Sequence, residues 1–210
     1  MQMKKRRVLS LRPTQFAVGM EEVKAKLREL ERLGRKQLAK YVKKHPVKVL
    51  RAPGRELYVV DHHHELAAVW LLGIKKVSVD VQKNLSGCVG SPKAFWRLMS
   101  THRLVHLYDQ FGDGPRDPLY LPEDIRGVGD DPYRSLAWMA KERKAFDDSD
   151  VPYYDFEWAQ LLRRHQLLDP NDRSSMRRAL GKAIDICRSP AARKLPGYRG
   201  NGRQRRETGK

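Results

Sequence analysis

With 210 residues, 40% hydrophobic and 32% charged, the chain is long enough for one sizeable core, or one core with a helical appendage, in a soluble globular protein. The formal charge of +18 favours polyanionic partners (DNA, RNA, nucleotides or an acidic membrane surface) but carries no information on specificity. Two widely separated cysteines, Cys88 and Cys187, give neither a disulfide framework nor a cysteine zinc site, and no apolar run reaches membrane-spanning or signal-peptide length. The expectation is a protein of the reducing cytoplasm that does not insert into a membrane.

In chain order, Arg7 to Leu11 reads as a short strand, stopped at Arg12-Pro13-Thr14-Gln15 because proline cannot hold a central ladder position. Met20, Val23, Leu27 and Leu30 recur at helical spacing after Gly19, and Gly34 closes that helix. A second helix is expected over Lys36–Lys43. His45-Pro46 breaks it, Val47–Leu50 reads as a strand, and Leu57–Val60 returns as its hairpin partner across the Ala52-Pro53-Gly54-Arg55 turn. Lys76–Val81 alternates with period two, as a further strand would.

Beyond Asn84 the composition changes. Leu85–Pro92 reads as a linker, and the pattern after it is helical: Phe95, Leu98, Met99 and His102 share a face. Phe111–Pro118 is a loop, and Leu121–Ile125 is a short helical turn. Asp131-Pro132 starts a helix with an acidic cap and a first-turn proline. Helices are also expected over Phe156–His165 and Asp172–Cys187. Residues 190–210 hold seven cations against one carboxylate without apolar periodicity, the composition of a disordered basic tail. The expected organisation is an α/β domain over 1–84 with a small mixed sheet, a helical extension packed on it over 85–189, and the tail over 190–210.

The stretch with the most chemistry is Tyr58-Val59-Val60-Asp61-His62-His63-His64-Glu65, followed by a helical pattern that closes on Gly73. It reads as a strand, a polar turn and a helix N-terminus. First-turn N–H groups there lack internal partners and the dipole is positive, so the turn is suited to an anion. Asp61, His63, His64 and Glu65 are the catalytic candidates. A histidine moves protons near neutral pH, and Asp61 could fix its tautomer or join His63 and His64 on a Mg²⁺ or Mn²⁺ ion. The competing reading is structural: one histidine caps the helix, one packs inward and one is solvated. Trp70, Trp96, Trp138 and Trp158 lie in helical patterns and are read as core rather than as base-stacking platforms. No helix-turn-helix is recognisable, which argues against a sequence-reading partition protein.

Residues 58–81 resemble the ParB/sulfiredoxin superfamily, in which a strand enters a Gly-x-x-Arg turn, a helix of small residues, a glycine and another strand. Leu9 to Val18 resembles the opening strand and loop of that fold. Leu11-Arg12-Pro13-Thr14-Gln15, Val60-Asp61-His62-His63-His64, Asp130–Trp138 and Phe156–Ala159 together resemble the ParB-like nucleases with an Asp-x-His-His signature, over roughly residues 8 to 165. The resemblance implies a ParB/sulfiredoxin-like α/β (α+β) fold and a nuclease or phosphodiesterase acting on nucleic acid. It implies phosphate or substrate contacts from Arg12, Thr14, Gln15, His62 and Arg134. It departs from the superfamily at two positions: His62 stands where glycine is usual, and Glu65 where the phosphate-gripping arginine is usual. Two rivals stand beside the nuclease: a nucleoside-triphosphate-using ATPase or small-molecule kinase, and a non-enzymatic basic nucleic-acid-binding module. The basic termini would supply sequence-independent contacts to the phosphates of a nucleic acid.

Overall fold

The computed structural model describes residues 4–87, 91–169, 172 and 174–200. They form two compact units that divide between Asp130 and Asp131. The first contains strands β1 (Lys4–Arg7), β2 (Leu11–Pro13) and β3 (Ala17–Val18), helices α1 (Met20–Glu31) and α2 (Arg35–Lys44), then β4 (Val47–Arg51), β5 (Leu57–Val59), α3 (His63–Leu71), β6 (Lys76–Asn84), α4 (Pro92–Thr101) and β7 (Gly129–Asp130). The fold is mixed α/β, as the sequence predicts.

A five-stranded mixed sheet in the order β1-β6-β4-β5-β2 organises this unit, and a two-stranded parallel sheet joins β3 to β7. The β4–β5 hairpin pairs Val49 with Val59 and Leu50 with Tyr58. Because side chains alternate along a strand, Val47, Val49, Leu57 and Val59 join Val77 and Val79 in a core with Val23 and Leu30 of α1 and Leu66 and Ala68 of α3. Leu50 and Tyr58 point the other way, into a second core with Phe95 and Met99 of α4.

The expected Arg7–Leu11 strand is instead two strands. β1 ends at Arg7, a 3₁₀ turn covers Val8–Ser10, and β2 follows. The two lie on opposite edges of the sheet, so the chain must leave one edge and cross to the other, and buried Val8 and Leu11 anchor the crossing. The first unit also extends well past residue 84. α4 covers the second face of the sheet, and His106 N–H donates to the Thr14 carbonyl at 2.8 Å. β7 pairs with β3, Ala17 opposite Gly129. These are long-range pairings that local composition does not encode.

The second unit packs α5 (Pro132–Glu142), α6 (Tyr154–Arg164) and α7 (Ser175–Arg188) around Leu136, Trp158, Leu162, Leu180 and Cys187. Residues 190–200, expected as loose tail, are part of it. Ala192 is fully buried, the Trp158 indole donates to the Pro196 carbonyl at 2.9 Å, and Asp147 N–H donates to the Gly197 carbonyl at 2.8 Å. Residues 201–210, the remainder of that segment, and Cys88 lie outside the described residues. Of the four tryptophans Trp158 is wholly buried, while Trp70, Trp96 and Trp138 are half-buried. Among the described residues no helix is long and apolar enough to cross a membrane.

Candidate functional site at the strand-to-helix turn

The β5 ladder runs beside β2 only as far as the Pro13–Val59 pair, since the chain then turns away. Side chains take over there. Thr14 Oγ1 donates to the Val59 carbonyl at 2.6 Å, and Thr14 N–H donates to His63 Nε2 at 3.2 Å. Because Nε2 accepts, His63 is the neutral tautomer with its proton on Nδ1, directed to the Val59 carbonyl. The ring is 3% exposed. Burial, reinforced by His64, pushes its pKa down to about 3, against the opposing pull of Asp61. His63 therefore acts in the fold as a clamp between two strand ends.

His62 carries the turn itself. Its φ of 70° and ψ of 28° lie in the left-handed region, where a residue with a Cβ pays about 1–2 kcal/mol. Glycine would adopt this conformation without that cost, so His62 is an ionisable side chain placed there at conformational expense. His62 provides no side-chain cap to α3. Its Nε2 lies 3.6 Å from Asp61 Oδ2, and its Nδ1 is buried with no hydrogen-bond partner among the described residues.

Asp61 is half-exposed. It accepts from His62 N–H at 2.8 Å on Oδ1 and from Lys48 Nζ at 2.8 Å on Oδ2. Partial burial would raise its carboxyl, but the Lys48 hydrogen bond and the neighbouring His62 outweigh this and hold it below the usual carboxylate range. Lys48 is the residue that sequence reasoning missed. The hairpin register contains the signal: Val49 opposite Val59 sets Lys48 opposite Val60, one residue from Asp61.

His64 turns toward α1. Its Nε2 accepts from Gly19 N–H at 3.1 Å, and Glu22 Oε2 lies 3.5 Å from the same nitrogen. Glu65 is not with the histidines: it hydrogen-bonds Tyr41 of α2 and acts electrostatically on Lys26 of α1. Arg12 is paired with Glu56 at 2.7 Å and lies over the Tyr58 ring. Gln15 Nε2 donates to its near neighbour, the Ala17 carbonyl, at 2.6 Å. Arg134 belongs to the second unit, where it is buried and bound to Asp155 at 2.8 Å. Asp131 caps α5 through the N–H groups of Tyr133 and Arg134.

The turn thus brings together Asp61, His62 and Lys48 at its surface, with His63 and Thr14 as buried support. The expected metal set of Asp61, His63 and His64 does not converge. Among the described residues no three His, Cys, Asp or Glu side chains are grouped to hold an ion, and both Asp61 oxygens and the accepting nitrogen of His63 are already engaged.

Such a fold and turn define a small mixed-sheet α/β protein whose polar centre is a strand-to-helix junction. Residues 5–164 match the family described as "Putative ParB-like nuclease", and the chain belongs to that family. It is similar to the crystal structure of protein Atu1540 from Agrobacterium tumefaciens, at 30% identity and a TM-score of 0.85, over 95% of this chain and 97% of that one. No curated protein matches the chain.

Proposed function

We propose that this ParB-like protein is a phosphodiesterase acting on nucleic acid, and that its chemistry lies on the exposed side of the turn. The observation that supports this most is the trio Lys48–Asp61–His62 at the start of a helix whose N-cap residue supplies no capping group. First-turn N–H groups and Lys48 attract a phosphate. His62, the least buried of the three histidines, takes a proton from a water attacking phosphorus. As the new P–O bond forms, the ester P–O bond breaks, and solvent protonates the departing oxygen. Asp61 stabilises the imidazolium. The grouping of donors makes no metal centre by itself, so the role given to Mg²⁺ or Mn²⁺ is to accompany the phosphate of the substrate.

The reading as a nucleoside-triphosphate-using enzyme has less support. It relies on an arginine clamp, and Glu65 occupies that place and is committed to Tyr41.

The test is cleavage of labelled single- and double-stranded DNA and RNA with Mg²⁺ or Mn²⁺ present. His62→Gly removes the imidazole and also relieves the left-handed backbone. Its melting temperature is therefore expected to hold or rise, by the equivalent of up to about 1 kcal/mol after the entropy cost of glycine. Cleavage should fall at least about 100-fold in His62→Gly, the scale of general-base loss, and also in Asp61→Asn. Undiminished cleavage in a folded His62→Gly variant would remove the turn from the chemistry.

A further inference from the structure

The basic residues of helix α2 form a cluster apart from the turn. Its ten residues, Arg35 to Lys44, include five cations and no carboxylate. Leu38, Tyr41 and Val42 pack against the core. At 100° per residue, Lys36, Lys40, Lys43 and Lys44 all fall on the opposite side of the helix, and all four are exposed. Among the described residues no carboxylate is ion-paired with any of them. On the preceding helix the pattern is different: Lys24 pairs with Glu21 at 2.6 Å and Lys26 with Glu29 at 2.7 Å. Like charges three and four residues apart weaken a helix, so this face carries a standing repulsion that an external polyanion would relieve.

We infer that the Lys36–Lys40–Lys43–Lys44 face of α2 is a sequence-independent docking surface for the phosphate backbone of a nucleic acid. From Lys36 to Lys44 the helix rises about 12 Å, which spans three to four phosphates along one strand of a duplex. A bilayer is the poorer fit. An amphipathic helix lies on a membrane by burying its apolar side in lipid, and here that side is already occupied by the core of the protein. Nucleic acid as the ligand class rests on the function proposed above, while the placement on α2 does not depend on the chemistry of the turn.

The test is fluorescence anisotropy of the full chain with a labelled duplex of about 20 base pairs, titrated between about 50 and 200 mM salt. The variant is Lys36→Gln/Lys40→Gln/Lys43→Gln/Lys44→Gln, with Lys24→Gln/Lys26→Gln as the control from α1. Each phosphate contact contributes about 0.9 to the slope of log affinity against log salt. The quadruple variant should therefore lose up to about 3.6 of that slope, with affinity at low salt falling by about 100-fold. Its melting temperature should stay level or rise as the repulsion is removed, while the control keeps the wild-type slope. An unchanged slope and affinity in the quadruple variant would overturn the inference and leave the proposed function standing. A wild-type chain that binds no duplex, single strand or RNA would overturn both. Tighter wild-type binding to anionic vesicles than to the duplex at equal salt would transfer the face to membranes and overturn the inference alone.

Discussion

The His63→Ala variant is expected to lose about 3–5 kcal/mol of stability, a large share of what a domain of this size possesses. The change would open a cavity beneath the turn and leave the buried Thr14 N–H without its acceptor, and each effect costs on the order of 1–3 kcal/mol. The same ring makes the wild type sensitive to acid. In the unfolded chain the imidazole takes up a proton below its ordinary value of 6.5, whereas in the folded chain it stays neutral down to about 3. Between those values the unfolded state binds more protons, so stability rises with pH across the window. It is fully present above about 6.5 and is lost as pH falls toward 3. The span corresponds to a contribution on the order of 5 kcal/mol. Chemical denaturation from pH 7.5 down to 4 measures the loss. Following the ring signal of His63 by NMR separates it from the carboxylates that titrate in the same range. A His63 signal titrating near 6.5 in the folded protein would show the ring to be solvated and would return it to the list of proton-transfer groups.

The second large effect is expected in the helical unit. Arg134 and Asp155 form an ion pair with side chains 4% and 17% exposed, and Lys141 lies 3.6 Å from the other oxygen of Asp155. Removing one partner from a buried pair leaves an uncompensated charge, at a cost of about 3–5 kcal/mol. Asp155→Ala should reach that range, because it removes the carboxylate bound to the buried Arg134 guanidinium. Arg134→Met should cost less, since Asp155 keeps Lys141. The double variant should lose less than the sum of the two single changes. Denaturant midpoints for the three variants check this. Nucleic-acid affinity measured well below the unfolding midpoint should be untouched in Arg134→Met. Weakened affinity at unchanged stability would instead assign Arg134 to phosphate binding.

The elements themselves were legible to within a few residues wherever periodicity was strong. The helices over Met20–Glu31, Arg35–Lys44, Tyr154–Arg164 and Ser175–Arg188 follow apolar spacing, and the β4–β5 hairpin follows its proline-glycine turn. Asp131 caps α5 as its acid-proline order predicts. The boundaries between units were less legible. Gly129 pairs with Ala17, and Pro196 accepts from Trp158. Neither partner's local sequence announces the other, so residues 85–130 read as extension and 190–200 as tail.

The sequence alone determined that a strand would run into a helix through a burst of ionisable residues, because β-branched patterning, helical spacing and a terminal glycine are local properties of residues 58–74. Tertiary structure decided what each of those residues does. Three consecutive histidines leave one turn in three directions. His62 lies beside Asp61, His63 is sealed against Thr14, and His64 is drawn to the first turn of α1. Two of the partners that separate them, Thr14 and Gly19, come from other elements of the chain. Burial and hydrogen bonding by those partners, rather than residue type, set the surroundings of each imidazole.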